Sequence, residues 1–298
     1  MASIRHTVRE SLGDRMFLGL IYLFLILVLV ATVYPLIFII SSSISSPSAV
    51  SGGRVWLWPV EATFVGYKAA FQNSQIVTGY ANSLFYTVAG TLISVVLTTM
   101  IAYPLSRKTF FGRSGMMMFI VFTMLFNGGL IPTYLVVKAV GLIDTRWALL
   151  LPNAIWVWQV IIARTFFATS IPDELAEAAE IDGCSDLRFI FSIVLPLSKP
   201  ILAVLTLMYA VGQWNAYFDA LIYLKSNNLF PLQLFLRSIL ILNANTGTLG
   251  AGEIAEKQQL ASLMKYSIIV VSSLPVLILY PFVQRYFVQG MLIGSVKG

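Results

Sequence analysis

Residues 169–200 read TSIPDELAEAAEIDGCSDLRFIFSIVLPLSKP, the one long charge-rich segment caught between two strongly apolar runs. Pro172 stands where a first helical turn tolerates it, since that N–H has no helical partner. Asp173 and Glu174 follow, where negative charge suits the helix dipole. Gly183 comes where a left-handed C-terminal cap is wanted. The pattern predicts a helix from about Pro172 to Asp182, roughly 16 Å long at 1.5 Å per residue. Leu175, Ala178, Ala179 and Asp182 fall at helical spacing on one strip, small and mostly apolar in its first three members. Asp173, Glu177 and Glu180 line another side. Two readings follow: a rod that docks into a groove on another protein, with alanines for close approach and acids for orientation, or an interfacial helix resting on lipid. So many acids on so short a helix sit poorly against an anionic inner leaflet.

The chain around this segment is that of an integral membrane protein. Of 298 residues 58% are hydrophobic and 11% charged, against about 45–50% and about 25% in soluble domains. The net charge of +6 comes from basic residues scattered in loops, which suits a positive-inside bias and not a nucleic-acid face. A single cysteine, Cys184, and a single histidine, His6, exclude an intrachain disulfide, a thiolate cluster and a histidine metal site.

One membrane domain is expected over 1–298, all-α, with six transmembrane helices. No charge lies between Arg15 and Arg54, and 17–40 is almost unbroken apolar sequence, too long for the core of a cleaved leader. Further spans are expected at about 82–104, 114–137, 147–164, 201–224 and 266–285. External loops are expected at 41–81, with a short surface helix at Phe64–Phe71, and at 225–265, with an amphipathic segment at Phe230–Leu242. Asn127-Gly128-Gly129 and Pro132 fall inside the third span. Either the helix breaks there at membrane depth, or it ends at Asn127 and a surface loop follows. The loop at 104–114 carries three Lys or Arg and the turn at 141–146 one, so the tails and the charge-rich segment are placed in the cytosol.

No phosphate-binding Gly-x4-Gly-Lys-Ser/Thr loop, His-Glu-x2-His or Gly-x-Ser-x-Gly occurs, so no catalytic residue, cofactor or metal is expected. Gln213-Trp214-Asn215-Ala216-Tyr217 combines flat aromatic faces with paired amide donors and acceptors. Sugars suit that mixture, but so do interhelical hydrogen bonds and an interfacial aromatic belt. Asn127, Asn153 and Gln159 are weaker candidates of the same kind. Asp219 is the only clearly intramembrane acid, near the outer end of its span.

Glu177-Ala178-Ala179, three residues, Gly183, nine residues, Ile193, one residue and Leu195-Pro196 match the EAA loop of binding-protein-dependent ABC importer permeases. Cys184 departs from the alanine more usual there. The resemblance implies a type I ABC importer permease fold whose cytosolic coupling helix sits in a cleft of an ATPase subunit. It assigns that contact to Glu174, Glu177, Ala178, Ala179, Asp182, Gly183, Leu195 and Pro196. Asn82-Ser83-Leu84 through Ala102-Tyr103-Pro104-Leu105-Ser106-Arg107 resembles the second span of carbohydrate importers. Residues 127–134 and 141–145 resemble permeases for oligosaccharides and uronate polymers, such as aldouronate or alginate importers. The closing Gly294–Gly298 resembles the tail of the second maltose-type permease, which implies that Val296, Lys297 and Gly298 reach the ATPase dimer. By the same resemblance Gln213, Trp214, Asn215, Tyr217 and Asn127 line a sugar path.

The implied partners are a second permease forming a heterodimer, two ATPase subunits, an extracytoplasmic sugar-binding protein, the sugar and membrane lipid. The implied place is the bacterial inner membrane, multi-pass, with both termini cytosolic. The rival reading is a stand-alone secondary transporter or channel for a small polar solute. Too few ionisable groups fall inside the membrane to favour it.

Overall fold

A computed structural model of the chain describes residues 11–242 and 263–281. Every regular element among them is helical. In chain order they are α1 (Leu12–Ser43), α2 (Pro47–Ser51), α3 (Val65–Gln72), α4 (Ser74–Ser106), α5 (Arg113–Leu125) and α6 (Leu130–Ala139). There follow α7 (Trp147–Leu150), α8 (Val157–Ser170), α9 (Asp173–Ile181), α10 (Asp186–Phe189), a π-helical turn at Ile190–Val194, and α11 (Leu195–Leu197). The described chain closes with α12 (Lys199–Asn215), α13 (Phe218–Tyr223), α14 (Leu232–Leu242) and α15 (Leu263–Pro281). Contacts divide the chain into two compact units, 1–70 with 245–270, and 71–244 with 271–298.

In the first unit α1 starts on a capping box, with the Ser11 hydroxyl accepting from Asp14 N and the Asp14 carboxylate from Ser11 N, both at 3.1 Å. Its most apolar window has a mean hydropathy of 3.0 and no buried residue, as for a helix meant for lipid. Burial begins only at its C-terminal serines. There the Ser41 hydroxyl donates to the Leu57 carbonyl at 2.6 Å, and Ser45 accepts from Val60 N at 3.0 Å. These bonds fold 44–63 back onto the helix end. In the same unit Phe38 meets Tyr266 edge-on at 5.9 Å.

The second unit is built on α4, which packs against α8, α12 and α14. The buried side of α4 is a run of small polar residues, Ser83, Thr87, Thr91, Ser94 and Thr98, with Gly90 among them. Small side chains let helices approach where lipid offers no hydrophobic drive, and dispersion and interhelical bonds hold them. The Thr98 and Tyr209 hydroxyls bond at 2.7 Å, both fully buried. Tyr209 also accepts from Trp156 N at 3.2 Å, so one phenol joins α4, α12 and the entry to α8. Phe167, Ile171, Val194 and Leu205 complete this core.

Three described helices, α1, α4 and α15, are long and apolar enough to cross a membrane, or up to five spans if each of two bent pairs is one. Several boundaries differ from those expected. The second span starts at Ser74, so the loop before it is shorter, and the surface helix in it is α3. The run at 147–164 is broken: α7 ends at Leu150 and α8 begins only at Val157. Pro152 has no N–H to return to the preceding turn, and Asn153 gives its Nδ2 to Asp219 at 2.6 Å. At Asn127 the helix breaks, as the first alternative expects, and no long surface loop follows. The helix ends at Leu125, but a second helix, α6, follows at 114° to it. Gly129 makes the corner at φ +86° while its N–H donates to Asn127 Oδ1 at 2.9 Å.

Candidate functional site: a clamped rod and a polar seam

The charge-rich segment folds as nine-residue α9 between two caps. Pro172 is the N-cap itself, extended at φ −61° and ψ 150°, so the helix starts one residue later than expected. At the other end Gly183 N donates to Glu180 O at 3.0 Å and Cys184 N to Ala179 O at 2.9 Å. This is the paired-bond Schellman ending. It needs Gly183 at φ +70°, a sign that side-chain-bearing residues avoid; space is not the limit, since nothing lies within 4 Å of an added Cβ.

A second contact fixes α9 to the bundle. Arg107, the residue that ends α4, donates Nη1 to Asp173 Oδ1 at 3.2 Å and Nη2 to the Ile171 carbonyl at 3.1 Å. Its guanidinium lies 4.9 Å from the Tyr103 ring centroid, and Lys108 Nζ stands 3.6 Å from Asp173 Oδ2. The Arg107 side chain is only 10% exposed. Half-buried, multiply bonded pairs of this kind hold geometry far better than exposed ones.

The expected strip of Leu175, Ala178, Ala179 and Asp182 is divided. Ala179 is 8% exposed and packs into the core beside Ile171 and Phe189, with Ala176 next to it. It therefore faces this chain's own bundle. Glu174, Leu175, Glu177, Ala178, Glu180 and Asp182 are exposed, and Ile181 is 87% exposed. Leu187 and Phe191 are also bare. The outward surface is thus acidic with isolated large apolar side chains. Leu195 and Pro196 lie apart from it, in α11, just before the chain turns by 80° into α12.

The five path candidates do not converge. Gln213 is buried, its side chain so near Gly90 that an added Cβ there would lie 2.8 Å away. Trp214 is 3% exposed, donates Nε1 to the Ser272 carbonyl at 2.8 Å and meets Tyr80 edge-on at 5.6 Å. Both hold helices together. Asn215 is exposed and donates to Val211 O of its own helix at 2.9 Å. Tyr217 is exposed, with the Arg237 guanidinium 5.8 Å from its ring. Asn127 serves the Gly129 corner, on another helix pair. Gln159, buried in α8's first turn, donates Nε2 to Met208 Sδ at 4.0 Å, and its Oε1 has no partner among the described residues. The residues 296–298 lie outside the described residues.

Asp144, at φ +60° in the turn before α7, has its carboxylate bonded by Ser226 Oγ at 2.6 Å and by the N–H groups of Ser226 and Lys225, each at 2.8 Å. Those bonds, that of the Ser226 hydroxyl foremost, hold its pKa below the usual carboxylate value. Among the described residues no three His, Cys, Asp or Glu side chains stand together as a metal site.

The described residues of the second unit thus form helices packed on α4, with a short acidic helix, α9, fixed to its end through Arg107. Residues 90–293 match the family described as the inner membrane component of binding-protein-dependent transport systems, and the chain belongs to that family. It is 42% identical over 289 residues to the polygalacturonan/rhamnogalacturonan transport system permease protein YtcP of Bacillus subtilis, covering 96% of this chain and 99% of that one. It is 41% identical over 301 residues to Protein LplC of the same species, over the whole of both chains. Among solved structures, a chain of a bacterial ABC transporter involved in the import of the acidic polysaccharide alginate superposes with a TM-score of 0.86 at 37% identity, covering 94% of this chain and all of that one. The chain is therefore a permease subunit of an ABC importer, and ATP hydrolysis belongs to a separate subunit. Membership implies an ATPase and an external binding protein as partners.

Proposed function

We propose that this subunit forms half of the path of an importer for oligosaccharides or polysaccharides, acidic ones among them, and that α9 is where its ATPase grips. The names of the relatives support the cargo class: polygalacturonan, rhamnogalacturonan and alginate are all polymers containing uronic acid. One observation carries the coupling role: a nine-residue helix begun at Pro172 and closed by the Gly183 cap, joined to the end of α4 through Asp173–Arg107, with an acidic and apolar face left bare. A rod held so can transmit displacement to α4, and α4 packs on α8 and α12.

In this reading a second permease completes a heterodimer, and two ATPase subunits lie below it. The tails and α9 face the cytosol, in keeping with the basic residues at 107, 108, 113 and 164. ATP-driven closure displaces α9 and shifts the spans between inward- and outward-facing states. That shift requires the ATPase to hold the two states with different affinity. Asn215 and Tyr217, exposed at the end of α12, are the side chains of the expected set that remain for the cargo.

The test is reconstitution of the chain with its companion permease and ATPase in vesicles, with uptake of labelled oligogalacturonate and of a neutral oligosaccharide followed with and without ATP. ATP-dependent uptake supports the reading. Uptake driven by an ion gradient with no ATPase present overturns it.

A further inference from the structure

Between the first turn of α5 and the C-terminal part of α8 lies an open cleft of about 360 Å³, lined by Arg113, Ser114, Met117, Met118, Val121 and Arg164. Its polar end holds two guanidinium groups, and neither forms an ion pair among the described residues. Among the described residues the one bond of the Arg164 side chain runs from Nε to the Leu105 carbonyl at 3.3 Å. Two cations within one cleft repel each other, and among the described residues no carboxylate pairs with either.

Two further features point to the ligand. Helix α5 is thirteen residues long and starts after Gly112 at φ +76° with no side-chain cap, so its first amides add to the positive end. Beyond the arginines Met117, Met118 and Val121 continue the cleft as an apolar wall, and α5 has no buried residue along its length. A free phosphate or a carboxylate would satisfy the cations but leave that wall unused. A phospholipid uses both ends.

We propose that this cleft binds an anionic phospholipid of the cytosolic leaflet, its phosphodiester on Arg113, Arg164 and Ser114 and an acyl chain along Met117, Met118 and Val121. Two guanidinium groups against one phosphate leave a positive excess. That excess favours a glycerol headgroup over a choline one, whose ammonium it would repel. The site shares no lining residue with α9 or with the exposed end of α12, and it requires nothing of the cargo.

The test is native mass spectrometry of the full chain assembled with its companion subunits, in detergent containing equal amounts of dioleoyl-phosphatidylglycerol and dioleoyl-phosphatidylcholine. The wild type is expected to retain phosphatidylglycerol in preference, and Arg113→Gln and Arg164→Gln each to lower that retention about fivefold. Lys138→Gln and Lys225→Gln, each removing equal charge elsewhere, should leave it unchanged. Arg113→Gln keeps the bond between Arg164 and Leu105, so a folded variant is available should Arg164→Gln not assemble. Equal retention in wild type and both variants overturns the proposal. So does displacement of the lipid by inorganic phosphate alone, which would mark a simple anion site. So does loss of a companion subunit in place of lipid, which would assign the cations to a protein carboxylate.

Discussion

Arg107 Nη1 and Asp173 Oδ1 stand 3.2 Å apart, one closing the long helix α4 and the other opening α9. The same guanidinium also holds the Ile171 carbonyl, so a single side chain fixes both the start of the rod and the end of α8 that leads into it. Lys108, on the carboxylate's second oxygen, is 80% exposed and adds little.

Arg107→Ala should leave Asp173 and the Ile171 carbonyl without their donor in a half-buried place, at a cost of about 1–3 kcal/mol. The subunit should still insert, while transport falls more than transport-linked ATPase binding. A double-mutant cycle with Asp173→Ala, read by thermal unfolding in detergent, should give a coupling energy of about 1–2 kcal/mol. A coupling of zero would mean that the pair does not hold the rod.

Gly183→Val should strain the cap by about 1–2 kcal/mol or more, since a β-branched residue resists φ +70°. Gly183→Asn, tolerant of that region, should keep most function. Uptake and co-purification of the ATPase measure both. Equal behaviour of Val and Asn would show that the left-handed ending is not what matters there.

Trp214 and Asn215 should separate. Trp214→Phe removes the bond to the Ser272 carbonyl and should lower thermal stability by about 1 kcal/mol with little change in the KM of uptake. Asn215→Ala loses only a bond within its own helix, so stability should hold and KM should rise. The reverse pattern in the two variants would remove Asn215 from the path.

Asp144 gives a pH dependence. Its pKa is lowered in the folded chain by Ser226 and Lys225, so its contribution is present above the unfolded carboxylate pKa. That contribution is lost as pH falls through the lower folded value. Stability should therefore drop on acidification below about pH 4, and Asp144→Asn should flatten that limb, since Asn accepts positive φ. An unchanged acid limb in Asp144→Asn would show the turn to be held by other bonds.

Much of the rod was legible in the sequence. Pro172, the acids of the first turn and Gly183 mark its ends to within a residue, because caps are local chemistry. Which side faces inward was not legible. Helical spacing groups Ala179 with Leu175 and Ala178, but Phe189 and Ile171, brought up by the turn after Gly183 and by the Arg107 clamp, bury Ala179. Ile181 escaped notice as a surface residue because an isolated isoleucine reads as core. Arg107 was equally hidden, since its partner is 66 positions away. Trp214 suits a sugar platform or a helix tie by residue type, and its bond to the Ser272 carbonyl, 58 positions away, shows only in the fold. The break at 151–156 was foreshadowed by Pro152, which hydropathy alone overrides.

The central claim is that an ATPase subunit grips the outer face of α9. With Cys184 replaced by Ser, single cysteines at Ile181, Glu177 and Ala179 should be tested for cross-linking to the ATPase in the assembled importer, with and without ATP. Ile181→Cys and Glu177→Cys should link in a nucleotide-dependent manner, and the buried Ala179→Cys should not. Failure of both exposed positions to link while uptake proceeds, or linking at Ala179 as readily as at Ile181, would contradict the account.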